Sequence, residues 1–162
     1  MIIYAHGREG TPWGAKVTGL RAAGYEVYAP DLRELNLAAR ISRIEDALKH
    51  HNGLLVASSY SGLAAVVLAR RTQLRIHRLV LLAPAMHVYE PPVDDPGRLV
   101  LPETVQTVIV HGTLDENVPV DFSRRLAARS GPHVRLIEVE DTHRLGSSMP
   151  TIIQAVRGMI AA

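Results

Sequence analysis

Short apolar runs alternate along this chain with segments of helical period. The strand-like runs are Met1–Ala5, Tyr25–Ala29, Gly53–Ser58, Leu79–Ala83, Thr107–His111 and Val134–Val139. Several are almost unbroken Val, Ile and Leu, the pattern of parallel strands covered on both faces. Between them lie five helical segments. Thr11-Pro12 reads as an N-cap followed by proline at the first helical position. Trp13, Val17 and Leu20 then share a face, and Gly24 ends that helix. Leu37, Ile41, Ile44 and Leu48 make a second stripe, closed by Asn52-Gly53. Leu63 through Ala69 is apolar almost all round, which predicts a buried helix. Pro119 opens a fourth helix, with Val118, Phe122 and Leu126 on one face. Pro150 opens a fifth, with Ile152, Val156 and Ile160 on one face.

This alternation of strand and helix predicts an α/β domain with a mostly parallel sheet. The 162 residues suit one domain, 1–162. One connection differs from the rest. Residues 84–103 are long for a loop and carry Pro84, Pro91, Pro92, Pro96 and Pro102, and loops of that kind are often functional.

Composition narrows the function. With 47% apolar residues the chain folds rather than staying disordered. It has no cysteine, which excludes disulfides, thiolate metal sites and thiol nucleophiles. The net charge of +2 comes from scattered arginines with no long basic run, so no nucleic-acid partner is expected. Met1–Ala5 already reads as a strand, and no basic segment precedes an apolar one, so no signal peptide is expected. No apolar run reaches membrane-spanning length. Cytoplasmic residence is the default expectation.

Four segments carry candidate chemistry. In Leu55–Ala65 a buried strand runs into a buried helix through small residues, as a nucleophile elbow requires. Such a turn needs small residues two before and two after the nucleophile. Centring on Ser59 puts Ala57 and Ser61 there, whereas Ser61 or Ser58 would bring in Leu63 or Tyr60. Ser59 is therefore the candidate nucleophile, although an ordinary strand-to-helix turn capped by Ser59 would read the same locally. In Val108–Pro119 a strand ends at Gly112, and Asp115 follows where open α/β sheets bind ligands. In Val139–Gly146, His143 follows the last strand. After the first strand, His6-Gly7 lets a backbone N–H approach an anionic oxygen. Each segment alone is compatible with a plain turn or cap. Their occurrence in the order glycine loop, Ser, Asp, His, each at a strand's carboxyl end, is not.

At this point the chain resembles the α/β-hydrolase superfamily, and especially its small, capless serine hydrolases. His111–Pro119 looks like the family's acid loop, His6-Gly7 like the start of its oxyanion loop and Asp141-Thr142-His143 like its base loop. Both elbow glycines are replaced, by Ala57 and Ser61. The antiparallel strand pair that usually opens the family core has no counterpart. The resemblance implies about six mostly parallel strands in the order 2-1-3-4-5-6 with helices on both faces, and 84–103 in place of a cap. It also implies a Ser59–His143–Asp115 triad, an oxyanion hole from the backbone N–H groups of Arg8 and Tyr60, and a small ester or thioester substrate.

Alternatives remain at several positions. Asp94 or Asp95 could supply the acid, though the motif around Asp115 is better formed. Trp13 either lines the substrate pocket or packs the first helix. His87, with Met86 and Tyr89, either touches substrate or covers apolar surface. His50-His51 suits a helix's last turn. No His/Asp/Glu grouping has metal-ligand spacing, and no nucleotide-binding glycine motif follows the first strand, so neither metal nor cofactor is expected. A non-catalytic binding or scaffolding protein on the same fold is the competing reading.

Overall fold

The computed structural model describes residues 1–162. Its six strands are β1 (Ile2–Ala5), β2 (Val27–Tyr28), β3 (Leu54–Ser58), β4 (Arg78–Leu82), β5 (Gln106–Gly112) and β6 (Val134–Val139). All pairings are parallel, in the order β2-β1-β3-β4-β5-β6. The helices are α1 (Ala15–Ala22), α2 (Leu37–His50), α3 (Tyr60–Ala69), α4 (Asp121–Ser130) and α5 (Met149–Ala161).

Alternation along the strands splits the core into two layers. Ile3, Ala5, Leu55, Ala57, Leu79, Leu81 and Ile109 face the layer built with α2, α3 and α4. Ile2, Tyr4, Leu54, Val56, Val80, Leu82 and Val110 face the layer built with α1 and α5. The central strands are therefore buried on both faces, which explains their unbroken apolar sequence. In α3 every residue except Val67 is buried, so its lack of a polar face follows from its place inside the molecule.

Several element ends differ from the sequence reading, most by one residue, and three of the differences have a local cause. β2 has only two residues instead of the span Tyr25–Ala29. It is an edge strand closed by Pro30, which has no N–H to extend a ladder. α1 starts at Ala15, after Gly14, and the Thr11-Pro12 segment forms a turn in which Gly14 N–H donates to Thr11 O at 3.4 Å. α4 starts at Asp121 rather than Pro119, because Pro119 and Val120 form the turn that leads into it.

Residues 84–103 contain a single short helical turn, Pro96–Arg98. Met86, Val93, Leu99 and Leu101 of this segment are buried against the α2–α3 layer. Arg129 of α4 donates to the Leu99 carbonyl at 2.6 Å and to that of Pro96 at 3.0 Å. The loop is thus packed and bonded along its length. No helix is long and apolar enough to cross a membrane.

Candidate active site

β3 passes into α3 through Ser59, whose backbone sits at φ 53°, ψ −115°. A side chain in that left-handed region costs about 1–3 kcal/mol, so its surroundings must hold it there. The Ser59 N–H donates to Leu82 O at 2.8 Å. Its carbonyl accepts from the N–H groups of Gly62 (2.8 Å), Leu63 (3.3 Å) and Ala85 (2.9 Å). These bonds tie the turn to the end of β4 and to the first turn of α3. Gly62 meets a strict steric demand, since a Cβ there would lie 2.8 Å from Cβ of Pro84. Ser61 is fully buried, and its hydroxyl donates to His6 O at 2.5 Å and accepts from Arg40 Nη1 at 2.8 Å. The side chain that replaces the expected glycine is therefore bonded into the interior, away from the cavity.

The Ser59 hydroxyl is 2.9 Å from Nε2 of His143. Nδ1 of His143 is 2.6 Å from Oδ2 of Asp115. With Nδ1–H donating to the carboxylate, Nε2 is left to accept the serine proton. The other Asp115 oxygen accepts from the N–H groups of Asn117 (2.9 Å) and Val118 (2.8 Å). Asp115 thus both caps its own loop and orients the histidine. His111 lies beside it, with Nε2 3.2 Å from Oδ2. That nitrogen donates to Val118 O at 2.8 Å, and Nδ1 accepts from the Ser123 hydroxyl at 2.7 Å. Burial pushes the His111 imidazole below its ordinary value, so it is neutral at neutral pH. Asp95 lies elsewhere, bonded to the Gly97 N–H at 2.9 Å.

The base loop is shaped by Asp141, to which the sequence reading gave no role beyond its place in that loop. Its carboxylate accepts from Thr142 N–H (2.7 Å), Ser147 N–H (2.9 Å) and the Ser148 hydroxyl (2.7 Å). The Ser148 bond is the largest of the effects that hold this carboxyl below its usual range. The available signal was an aspartate directly before Thr142-His143, a residue type that bonds nearby backbone N–H groups. The acid and base loops are joined where Leu114 N–H donates to Asp141 O at 3.0 Å. Lys16 of α1 donates to Arg144 O at 2.7 Å from the other side.

On the opposite side of Ser59 lies the glycine loop. A Cβ on Gly7 would stand 3.2 Å from that of Ser59, so the loop approaches the serine closely. His6 braces the loop. Its Nε2 accepts from Leu32 N–H at 2.9 Å, and Nδ1 donates to Gly7 O at 2.8 Å. Burial pushes His6 below its ordinary value. Beneath it, the fully buried Arg40 of α2 donates to the carbonyls of His6 (2.7 Å) and Leu32 (2.8 Å). Burial brings this guanidinium down to about 10. Its signal in the sequence was a charged residue inside the apolar stripe of α2. The backbone N–H groups of Arg8 and Tyr60 find no acceptor within the protein.

A cavity of about 650 Å³ opens over this arrangement, and its lining includes Gly7, Arg8, Ser59, Tyr60, His87 and His143. His87 is pushed below its ordinary value, first by burial and then by the neighbouring His143. Trp13 is not part of this lining. It lies outside α1 and is 61% exposed, with the Arg33 guanidinium over its ring. Neither the pocket role nor the helix-packing role read for it from the sequence describes that position. The cause is the turn at Thr11–Gly14, which delays the helix past Trp13.

No protein-family model matches the chain, and no curated protein does. Solved structures do. A protein from Xanthomonas campestris pv. campestris assigned to the alpha/beta hydrolase superfamily superposes at TM-score 0.77 and 24% identity, over 99% of this chain and 97% of that one. Alpha/beta hydrolase domain-containing protein 10 from mouse superposes at TM-score 0.82 and 17% identity, over 99% and 89%. Est1E from Butyrivibrio proteoclasticus, in a structure with ferulic acid bound, superposes at TM-score 0.75 and 16% identity, over 99% and 89%. The chain has the α/β-hydrolase fold.

Proposed function

We propose that this α/β-hydrolase fold carries a serine hydrolase that cleaves small carboxylic esters or thioesters through an acyl-enzyme. One observation carries the reading: Ser59, held in a strained elbow, lies 2.9 Å from an imidazole nitrogen whose partner nitrogen lies 2.6 Å from a buried carboxylate. Three independent loops have to converge for that relay to form, and each is separately bonded into place.

In the proposed reaction the Ser59 oxygen attacks the substrate carbonyl while His143 Nε2 takes its proton. Asp115 keeps Nδ1–H in the productive tautomer and stabilises the imidazolium. The Arg8 and Tyr60 N–H groups receive the oxyanion, each worth about 3–4 kcal/mol in comparable sites. His143 then returns the proton to the leaving alcohol or thiol. Water, deprotonated by the same imidazole, cleaves the acyl-enzyme to the acid and restores Ser59. No cofactor enters this sequence. The cavity lining also includes Glu9, Thr11, Lys16 and Asn117. Est1E, on the same fold, binds ferulic acid, a carboxylic acid of the kind that ester cleavage releases.

Hydrolysis of a panel of p-nitrophenyl esters and acyl thioesters tests the reading. Turnover that disappears in Ser59→Ala and His143→Ala supports it. An inactive but folded wild type favours a binding protein on the same fold.

A further inference from the structure

Tyr60 directly follows Ser59, and its backbone N–H, like that of Arg8, finds no acceptor within the protein. Its side chain is held from several directions. The residue is 4% exposed. Two guanidiniums lie over its ring, with Cζ of Arg8 4.2 Å and Cζ of Arg40 4.6 Å from the centroid. Its phenol donates to the Glu90 carboxylate, 2.6 Å from Oε2 and 2.7 Å from Oε1. The same carboxylate accepts from the Leu37 N–H in the first turn of α2 at 2.7 Å. It also pairs with Arg8, whose Nη2 is 3.8 Å from Oε1.

Glu90 therefore touches the side chains of both residues whose amides are proposed to receive the oxyanion, and it reaches them from the 84–103 loop. Burial opposes its charge, but the Tyr60 phenol, the Leu37 N–H, Arg8 and Arg40 together outweigh burial and hold the carboxyl below its usual range. Burial and the adjacent Glu90 push the Tyr60 phenol up. The pair is thus a phenol donating to a carboxylate at neutral pH, with the proton on tyrosine.

Resting on the serine-hydrolase reading, we infer that Glu90 is a positioning residue for the oxyanion hole, fixing the Tyr60 and Arg8 peptide units through the phenol and the guanidinium. The loop that stands where related folds carry a cap then has a defined task. It locks the oxyanion amides as well as contributing His87 to the cavity wall. A donor displaced by a fraction of an ångström still lets substrate bind, but it stabilises the tetrahedral intermediate less well.

The test uses an ester that the wild-type chain hydrolyses, with Tyr60→Phe, Glu90→Gln and the double variant. Each single variant is expected to lose roughly 10- to 100-fold in kcat with KM within about twofold of wild type. Affinity for a boronic acid, which forms a tetrahedral adduct on the serine, should fall in step with kcat. The double variant should be no slower than the slower single one, because Tyr60→Phe removes one of the two linkages that Glu90→Gln already weakens. Tyr60→Phe leaves the Leu37 contact in place, so it serves if Glu90→Gln lowers the melting temperature. An active wild type whose Tyr60→Phe and Glu90→Gln variants keep kcat within twofold overturns this inference and leaves the hydrolase reading standing. Losses that fall on KM, or that multiply in the double variant, overturn it as well. A wild type with no turnover and no Ser59 adduct removes the hydrolase reading and this inference with it.

Discussion

At the scale of single residues, Asp115 combines two duties that the structure separates by oxygen atom. Oδ1 takes two backbone N–H groups, and Oδ2 faces His143. Asp115→Asn can keep the first set while presenting an amide N–H to Nδ1, which favours the wrong tautomer. Its kcat is expected to fall about 10³- to 10⁴-fold with little change in melting temperature. Steady-state kinetics beside a thermal melt check both halves. Ser59 gives a second prediction. Its φ of 53° strains any side chain, and both Ser59→Ala and Ser59→Gly lose the bond to His143. Only glycine relieves the strain. The glycine variant should therefore be more stable than the alanine variant by about 1–2 kcal/mol in urea denaturation, with both inactive. Equal stabilities would mean that the elbow stores no strain.

At the scale of elements, the site is an assembly of turns whose small residues are fixed by neighbouring backbone. Gly112, at the end of β5, is the tightest. A Cβ there would collide with the Asp141 carbonyl oxygen, at the seam between the Asp115 and His143 loops. Gly112→Ala must part the two loops, so it should lose activity together with at least about 1–3 kcal/mol of stability. A wild-type melting curve and wild-type kcat for this variant would contradict the described seam. The sequence made part of this visible. The strand-to-helix transition at Ser58–Ser61 could be read because a turn as sharp as the one at Ser59 requires small residues on both sides. Which small residue meets which wall could not be read. Gly62 answers to Pro84, and Ser61 is accommodated by Arg40 and His6, all of them distant in the chain. Element ends blurred for a similar reason. Thr11-Pro12 has the local chemistry of a helix start, but the chain turns first and leaves Trp13 outside.

At the scale of the whole molecule, the core on both faces of the sheet follows from unbroken apolar runs in the central strands, which were legible, whereas the strand order was implied only by the resemblance to the α/β-hydrolase superfamily. The buried polar frame was less so. Arg40, Glu90 and His111 act through partners on other elements, and only the misplaced charge in the α2 stripe hinted at one of them. That frame has a consequence for pH. His6 and His111 are both held below the ordinary 6.5 by burial. The unfolded chain therefore binds more protons than the folded one between 6.5 and each lowered value. Their contribution to stability is fully present above 6.5 and is lost as pH falls through the lowered values. Urea midpoints should accordingly decrease from about pH 7.5 to about pH 5, before most carboxylates protonate. A flat profile over that window would contradict neutral burial of these imidazoles.

The central claim is that Ser59 is an activated nucleophile. It is tested most directly by treating the folded protein with a fluorophosphonate and measuring intact mass, beside Ser59→Ala, Ser61→Ala and His143→Ala. The account predicts a single adduct on the wild type and on Ser61→Ala, none on Ser59→Ala, and much slower labelling of His143→Ala. An adduct that survives Ser59→Ala, or a folded wild type that takes none, would contradict it.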